Sequence, residues 1–194
     1  MSTTTQLNIS RITHHLWTGG DLPDSLSDAA SHVEAWAEQG IEHVIDCRLE
    51  WSDEDLVRAV APSIRYTHAG VDDAGQRMPD HWFDNVTRAA RSTIRNGGTV
   101  LLHCHMGVNR GPSGAFATLL TMGWDPIEAI DVIRTERSVA AVGYAEDALE
   151  WWHRVSSAPT GERLVDWCGL ERWRAANPHD TVRIIRQIRA QERS

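Results

Sequence analysis

The sequence contains no lysine, because each of its 19 basic residues is an arginine. Reactions that need a lysine amine, such as Schiff-base formation, and ATP sites of the Walker type are therefore excluded. Cysteine is also scarce. The three cysteines, Cys47, Cys104 and Cys168, are odd in number and widely spaced, which argues against a disulfide framework or a paired-cysteine zinc site. We expect reduced thiols.

Long apolar runs and a secretory leader are lacking as well. No segment approaches the roughly 20 apolar residues that a membrane-spanning helix needs, and the first residues have no basic start followed by an apolar run. These absences predict a cytoplasmic protein with no membrane partner. The formal net charge of −8 disfavours broad binding to nucleic acid, so an anionic substrate has to be bound in a local basic pocket.

The composition, with 41% apolar and 24% charged residues, is typical of one folded domain. Strands that alternate with helices predict an α/β fold with a central, mostly parallel sheet of about five strands flanked by helices. Asp80 and Asp125 are predicted helix N-caps. We predict strands at residues 12–20, 41–47, 64–69 and 99–104. We predict helices at residues 27–39, 52–60, 80–96, 111–122, 144–155, 162–175 and 179–191, and a further helix that begins at residue 126.

The segment from Val100 to Leu120 has the order strand, cysteine, five-residue loop, arginine, helix. In such a loop successive backbone N–H groups can converge on one anion, and the following helix directs the positive end of its dipole at the same point. Gly107 allows the loop to turn tightly. Cys104 is the candidate nucleophile, and the guanidinium of Arg110 offers a planar fork to two phosphate oxygens.

A cysteine nucleophile has to be ionised at neutral pH, whereas a free thiol has a pKa of about 8.5. A decrease of roughly three pKa units corresponds to about 4 kcal/mol of preferential thiolate stabilisation. The helix N-terminus, the ring of N–H donors and Arg110 are together able to supply it. A buried structural thiol is the simpler interpretation of Cys104, and the spacing to Arg110 argues against it.

This arrangement resembles the signature of the protein tyrosine phosphatase superfamily, histidine-cysteine-x5-arginine, here His103, Cys104 and Arg110 with Gly107 at the glycine position. The resemblance to the compact dual-specificity branch extends over residues 8–155. HLWTGG resembles the early strand and turn of that branch, and IRTERSVAAVGYAEDALEWW resembles the helix-loop-helix after the phosphate loop. In the family, the histidine orients the loop through hydrogen bonds.

The resemblance implies a general acid on a mobile loop about thirty residues before the cysteine, where this sequence reads VDDAG. Asp72 and Asp73 are both candidates, and the family spacing from Tyr66 and to Phe83 favours Asp73. Either aspartate can also be an ordinary turn residue, because aspartate is common in turns.

The implied mechanism has two steps and needs no metal and no cofactor. The Cys104 thiolate attacks phosphorus while Asp73 protonates the leaving oxygen, and water then hydrolyses the phosphocysteine intermediate. The phosphate-binding residues implied by the resemblance are His105, Met106, Gly107, Val108, Asn109 and Arg110. The family usually has serine or threonine after the arginine, where the hydroxyl assists the departing thiolate, but this sequence has Gly111. Ser113 is a doubtful replacement, so we expect a slower second step.

We expect residues 1–158 to form the phosphatase domain and residues 159–194 to form a helical extension packed on it, with a linker at residues 156–161. The last helix places arginines opposite Ile184, Ile185 and Ile188, which is typical of a solvated surface. These arginines are Arg183, Arg186, Arg189 and Arg193.

The leading functional interpretation is a phosphatase that acts on phosphotyrosine and on phosphoserine or phosphothreonine, with a phosphoprotein or a small phosphorylated molecule as partner. Three alternatives remain. Gly107-Val108-Asn109-Arg110 resembles the glycine-x-asparagine-arginine of RNA 5′-triphosphatases of the same fold. Gly111 suggests a weakly active phosphopeptide-binding module. Sulfur transfer of the rhodanese type also uses a cysteine between strand and helix.

Overall fold

A five-stranded sheet lies at the centre of the computed structural model, which describes residues 7–191. The strands are β1 (Ile9–Arg11), β2 (Leu16–Gly19), β3 (Ile41–Arg48), β4 (Arg65–Val71) and β5 (Thr99–His103). Their order in the sheet is β1-β2-β5-β3-β4, and all neighbours are parallel except the β1–β2 pair. The predicted α/β fold is thereby confirmed. The helices are α1 (Leu26–Glu38), α2 (Glu54–Val60), α3 (Asp80–Arg95), α4 (Arg110–Thr121), α5 (Pro126–Glu136), α6 (Ala145–Val155), α7 (Thr160–Ala176) and α8 (Thr181–Gln191).

Two apolar cores lie on opposite faces of the sheet, because successive side chains of a strand point to opposite faces. Ile45 and Leu102 belong to the larger core with α3, α4, α5 and α6. Val44 and Leu101 belong to the smaller core with α1 and α2. Strands covered on both faces are almost uninterrupted apolar runs, as the buried β5 is.

The predicted strand at residues 12–20 is too long. The N–H groups of Ile12 and Thr13 both donate to the Leu16 carbonyl, so the chain turns there and β2 begins only at Leu16. The preceding strand β1 was not predicted, since three residues with the sequence ISR carry no periodicity. It pairs antiparallel with β2 at the edge of the sheet.

One predicted helix cap is confirmed and one is wrong. The Asp125 carboxylate accepts hydrogen bonds from the N–H groups of Ile127 and Glu128 at the start of α5. Asp80 is instead the first residue of α3, and the N-cap is Pro79, which makes no side-chain cap hydrogen bond. A negative charge in the first turn still interacts favourably with the helix dipole.

The C-terminal helices contact the rest of the protein through a few large side chains. Leu170 and Trp173 of α7 belong to the larger core, and Trp173 Nε1 donates to Asp131 Oδ1 of α5 at 3.0 Å. The predicted linker is shorter than expected, because α7 already begins at Thr160. Within residues 7–191 no helix is both long and apolar enough to cross a bilayer.

Candidate active site

The loop between β5 and α4 places Cys104 at the bottom of a cavity of about 390 Å³. Cys104 is only 2% exposed. The backbone N–H of Cys104 donates to the Gly19 carbonyl of β2 at 3.2 Å. Helix α4 begins at Arg110, one residue earlier than predicted, so its N-terminus points at the loop. The predicted phosphate-binding residues that line this cavity are His105, Met106, Val108, Asn109 and Arg110.

Arg110 is 3% exposed and uses part of its hydrogen-bonding capacity within the protein. Its two terminal nitrogens bind the two carboxylate oxygens of Glu50, each at 2.8 Å, and Nη1 also donates to the Val71 carbonyl at 2.9 Å. A guanidinium has five N–H donors, so two remain, on the edge formed by Nε and Nη2. Within residues 7–191, Nε has no hydrogen-bond partner. That edge can donate two hydrogen bonds to the oxygens of an anion.

Glu50 was not predicted as a site residue. It lies two residues after the end of β3, and the hydrogen bonds from Arg110 lower the pKa of its carboxyl group to about 2. A permanently ionised Glu50 therefore fixes the orientation of the guanidinium. The available signal was its position after a parallel strand, since the carboxyl ends of such strands commonly carry ligand-binding residues.

The structure brings Asp73 into the cavity and leaves Asp72 outside it. Asp73 Oδ2 lies 3.4 Å from Arg110 Nε, next to the free edge of the guanidinium. Asp72 is exposed, and its carboxylate accepts the N–H of Asp73 at 2.8 Å, as is common in turns. The two candidates that the sequence left open thus have different environments.

Two side chains hold the Asp73 carboxylate in place. Asn109 Nδ2 donates to Asp73 Oδ1 at 2.6 Å, and the Tyr144 hydroxyl donates to the same oxygen at 2.8 Å. Burial, followed by the hydrogen bond to Asp73, raises the pKa of Tyr144, so the phenol remains a donor at neutral pH. Asn109 Oδ1 also accepts the N–H of Gly143 at 2.6 Å. The loop that contains Asp73, the loop between β5 and α4, and the start of α6 are therefore joined at one point.

The back of the phosphate loop rests on Arg137, which the sequence analysis did not identify. Arg137 Nε donates to the Gly107 carbonyl at 2.6 Å, and Nη2 donates to the carbonyl of Met106 at 3.2 Å and to Asn8 Oδ1 at 2.9 Å. Gly107 has a φ of +63°, and a Cβ atom there would collide with the Arg137 guanidinium. Glycine is required at 107 for both reasons.

Gly111 occupies a position with little room for a side chain. A Cβ atom there would lie 3.0 Å from the Leu102 carbonyl oxygen and 3.1 Å from Thr18 Oγ1. The Thr18 hydroxyl is buried and has no hydrogen-bond partner among the described residues. Ser113 is fully buried, and its hydroxyl accepts the N–H of Tyr144 at 3.2 Å, so it is engaged away from the cavity.

His103 is completely buried beneath the loop, where it packs against Trp36 with ring centroids 5.8 Å apart. The expected hydrogen bonds that would orient the loop are absent within residues 7–191, because neither ring nitrogen has a partner of normal geometry. Burial lowers the pKa of His103 to about 4, so the ring is neutral at pH 7. Its contribution is packing.

An ion network contacts the loop through His105. Arg48 donates to the carboxylates of Asp46 at 2.7 Å and Asp53 at 2.6 Å, and it also pairs with Asp21. Asp21 in turn pairs with His105 Nδ1 of the loop at 2.6 Å. Burial raises the pKa of Asp21 to about 6, although the Arg48 charge opposes this. The network fixes the position of His105.

A group of three side chains in this region has the composition of a metal site. Ligand atoms of Asp21, Asp53 and His103 lie within 4.8 Å of one another. The Arg48 guanidinium contacts both carboxylates, however, so it already supplies the positive charge that a cation would bring. We assign no metal to it.

The last helix also reaches the cavity. Thr181, Ile185 and Arg189 of α8 line it together with the phosphate loop. The predicted separation of an arginine face from an isoleucine face therefore fails for Ile185 and Arg189, which share one wall of the cavity. Arg183 and Arg186 are exposed as expected, and Arg193 lies outside the described residues.

Comparisons with known proteins agree with this geometry. The family model "dual specificity phosphatase, catalytic domain" matches residues 26–151. Human DUSP28 is similar in structure, with a TM-score of 0.63 and 18% identity over 78% of this chain and 97% of that chain. PTPMT1 in complex with PI(5)P has a TM-score of 0.64 and 17% identity, covering 77% of this chain and 97% of the other.

A third similar structure is the human tyrosine phosphatase-like serine/threonine/tyrosine-interacting protein, with a TM-score of 0.60 and 17% identity. The match covers 79% of this chain and 100% of that chain. No curated protein matches the sequence.

Proposed function

The chain belongs to the dual specificity phosphatase family, and from this premise we propose that it hydrolyses phosphotyrosine, and also phosphoserine or phosphothreonine, through a phosphocysteine intermediate. One observation carries the proposal. The thiol of Cys104, the free edge of Arg110 and the carboxyl group of Asp73 meet in one cavity that is large enough for an aryl phosphate.

In the first step the Cys104 thiolate attacks phosphorus, forming the S–P bond while the P–O bond to the leaving group breaks. Protonated Asp73 donates its proton to that oxygen, so the product leaves as a neutral phenol or alcohol. The three remaining phosphate oxygens lie against backbone N–H groups of the loop, the N-terminus of α4 and the Nε–Nη2 edge of Arg110. Glu50 keeps that edge turned toward the phosphate.

In the second step water attacks the phosphocysteine. Asp73, now ionised, accepts a proton from the water, the S–P bond breaks, and Cys104 leaves as a thiolate with release of inorganic phosphate. No hydroxyl follows Arg110, since that position is Gly111 and the Ser113 hydroxyl is bonded to Tyr144. We therefore expect hydrolysis of the intermediate to limit the rate.

The substrate is inferred from the loop and its neighbours. Met106, Val108 and Asn109 add no positive charge beyond Arg110, and His105 is paired with Asp21. The loop itself therefore lacks the cations expected for a highly charged inositol phosphate. Asn109, the residue that suggested an RNA triphosphatase, is bonded to Asp73 and Gly143. The low charge of the loop argues against an inositol phosphate as substrate, and the hydrogen bonds of Asn109 argue against a triphosphorylated RNA. Both observations therefore favour a phosphorylated amino-acid side chain.

The proposed function is tested by steady-state and rapid-quench kinetics with a phosphotyrosine peptide and with an aryl phosphate. Cys104→Ser should reduce kcat by at least about a thousandfold because the nucleophile is lost. Cys168→Ser, at an exposed cysteine of α7, is the matched control and should retain activity. The wild-type protein should give a burst of about one equivalent of product per site.

Three results would contradict parts of this proposal. Turnover that survives in Cys104→Ser would exclude a phosphocysteine pathway. Linear product release without a burst would show that hydrolysis of the intermediate is fast despite Gly111. Higher activity on triphosphorylated RNA than on phosphopeptide would favour the triphosphatase alternative.

A further inference from the structure

Helix α8 forms one wall of the active-site cavity. Thr181, Ile185 and Arg189 are spaced four residues apart, so they form a single stripe along the helix, and all three line the cavity that contains Cys104. Ile188 lines a neighbouring cavity together with Arg137, so the wall continues behind the loop. The family match ends at residue 151, and this wall is therefore an addition to the family domain.

The charges in the cavity are nearly balanced without substrate. Glu50 and Asp73 bring two carboxylates, and Arg110 and Arg189 bring two guanidinium groups. Both oxygens of Glu50 are bonded to Arg110, and the Asp73 carboxylate lies against the same guanidinium. Arg110 is thus already largely neutralised before a phosphate arrives.

Arg189 differs from Arg110 in this respect. Its side chain is exposed, and no carboxylate of residues 7–191 lies within ion-pair distance of it. An exposed guanidinium beside a cavity attracts anions and can bind two oxygens of a carboxylate or phosphate at once. It brings to the cavity a positive charge that no carboxylate of residues 7–191 offsets at ion-pair distance.

Building on the proposed function, we infer that Arg189 binds a second anionic group of the substrate, a carboxylate or phosphate next to the phosphate that is hydrolysed. Two sources share this chemistry. One is a phosphopeptide with acidic residues beside the phosphorylated side chain, and the other is a small bisphosphate. The C-terminal extension then determines which phosphate esters bind well.

The experiment compares Arg189→Gln with Arg186→Gln, a control on the same helix that is exposed and does not line the cavity. Each variant is assayed with two matched pairs of substrates. One pair is a phosphotyrosine peptide flanked by glutamate or by glutamine, and the other is a sugar bisphosphate and the corresponding monophosphate. The ratio of kcat/KM within each pair is the quantity measured.

Wild type and Arg186→Gln should prefer the more anionic member of at least one pair by about tenfold, the effect of one charge-assisted contact of about 1.5 kcal/mol. Arg189→Gln should reduce this ratio to about one, mainly through KM. The preference of the wild type should also decrease with added salt, because an exposed charge is screened. The pair that shows the preference identifies the source of the anion.

The inference is overturned if Arg189→Gln leaves the ratio unchanged, if Arg186→Gln abolishes it equally, or if the wild type shows no preference in either pair. Binding of both pairs to Cys104→Ser, with and without Arg189→Gln, is measured by calorimetry. Loss of discrimination there supports the Arg189 contact even if no turnover is observed, and unchanged discrimination rejects it. Absence of turnover in the wild type would instead count against the proposed function.

Discussion

At the scale of single residues, two adjacent aspartates illustrate how position determines chemistry. Asp72 and Asp73 have the same functional group, yet only Asp73 faces the cavity and is held by Asn109 and Tyr144. A carboxyl group next to the reacting oxygen can transfer a proton to it, whereas one that lies outside the cavity and accepts the N–H of the following residue cannot.

Replacing each aspartate with asparagine tests this difference. Asp73→Asn should lower kcat on a phosphotyrosine peptide by about 100-fold, the usual effect of losing a general acid, while Asp72→Asn should stay within about twofold of wild type. The loss in Asp73→Asn should be smaller for an aryl phosphate whose leaving group needs no proton. Equal losses in both variants would refute the assignment.

Motif reading identified Cys104 and Arg110 because their spacing is local in the sequence. It narrowed the candidates for the general acid to Asp72 and Asp73. The family resemblance favoured Asp73, which the structure places in the cavity. Glu50 and Arg137 were missed because their contacts with the loop join segments that are far apart in the chain. No periodicity or short motif encodes such a contact.

At the scale of elements, the close packing of α4 against the sheet depends on the absence of a side chain at residue 111. The space beside Gly111 is bounded by the Leu102 carbonyl of β5 and the buried hydroxyl of Thr18 on β2. Added atoms there push the helix, and with it the phosphate loop, away from the strands.

A double-mutant cycle measures this contact. Gly111→Ser should destabilise the protein by about 1–3 kcal/mol through overpacking. In a Thr18→Ala background the same substitution should cost about 1 kcal/mol less, because one of the crowding atoms is gone. Urea unfolding of the four proteins gives the coupling energy, and strictly additive effects would show that Thr18 does not limit the site.

The order of most elements could be predicted because long apolar periodicities and Pro or Gly boundaries are strong signals. The strand β1 could not, since its three residues are held by pairing with β2 and have no pattern of their own. The face of α8 was misjudged for a related reason. Its environment is set by the loop it covers, which the helix sequence alone does not reveal.

At the scale of the whole molecule, buried histidines link stability to pH. His43 bridges Thr93 and Thr67 through its two ring nitrogens, each at 2.8 Å, and burial lowers its pKa to about 4, as it does for His103. A histidine whose folded pKa lies below its unfolded value stabilises the protein above about pH 6.5 and loses this contribution as pH falls toward 4. Asp21, whose pKa is raised to about 6, has the opposite effect over pH 6 to 4.

The histidine effect should dominate, so the free energy of unfolding should decrease by about 2–3 kcal/mol between pH 7.5 and pH 5. His43→Gln should remove about 2 kcal/mol of that dependence, whereas His81→Gln, at an exposed position, should not change it. Urea unfolding at the two pH values provides the measurement. A wild-type protein that is equally stable at both would disprove the linkage.

The boundary between the phosphatase domain and the C-terminal extension stays a prediction. Leu170 and Trp173 insert into the larger core, so the extension and the family domain share apolar contacts. The family match ends at residue 151, whereas the packing continues into α7.

Arg137 sits beneath the phosphate loop, is 6% exposed, and has no carboxylate within ion-pair distance among residues 7–191. No carboxylate of residues 7–191 cancels its charge at close range, and dissolved ions screen a buried charge much less than an exposed one. It acts as a constant source of positive potential behind the loop that carries Cys104. Raising the ionic strength should therefore weaken attraction to the rim of the cavity while leaving the potential at its floor nearly unchanged.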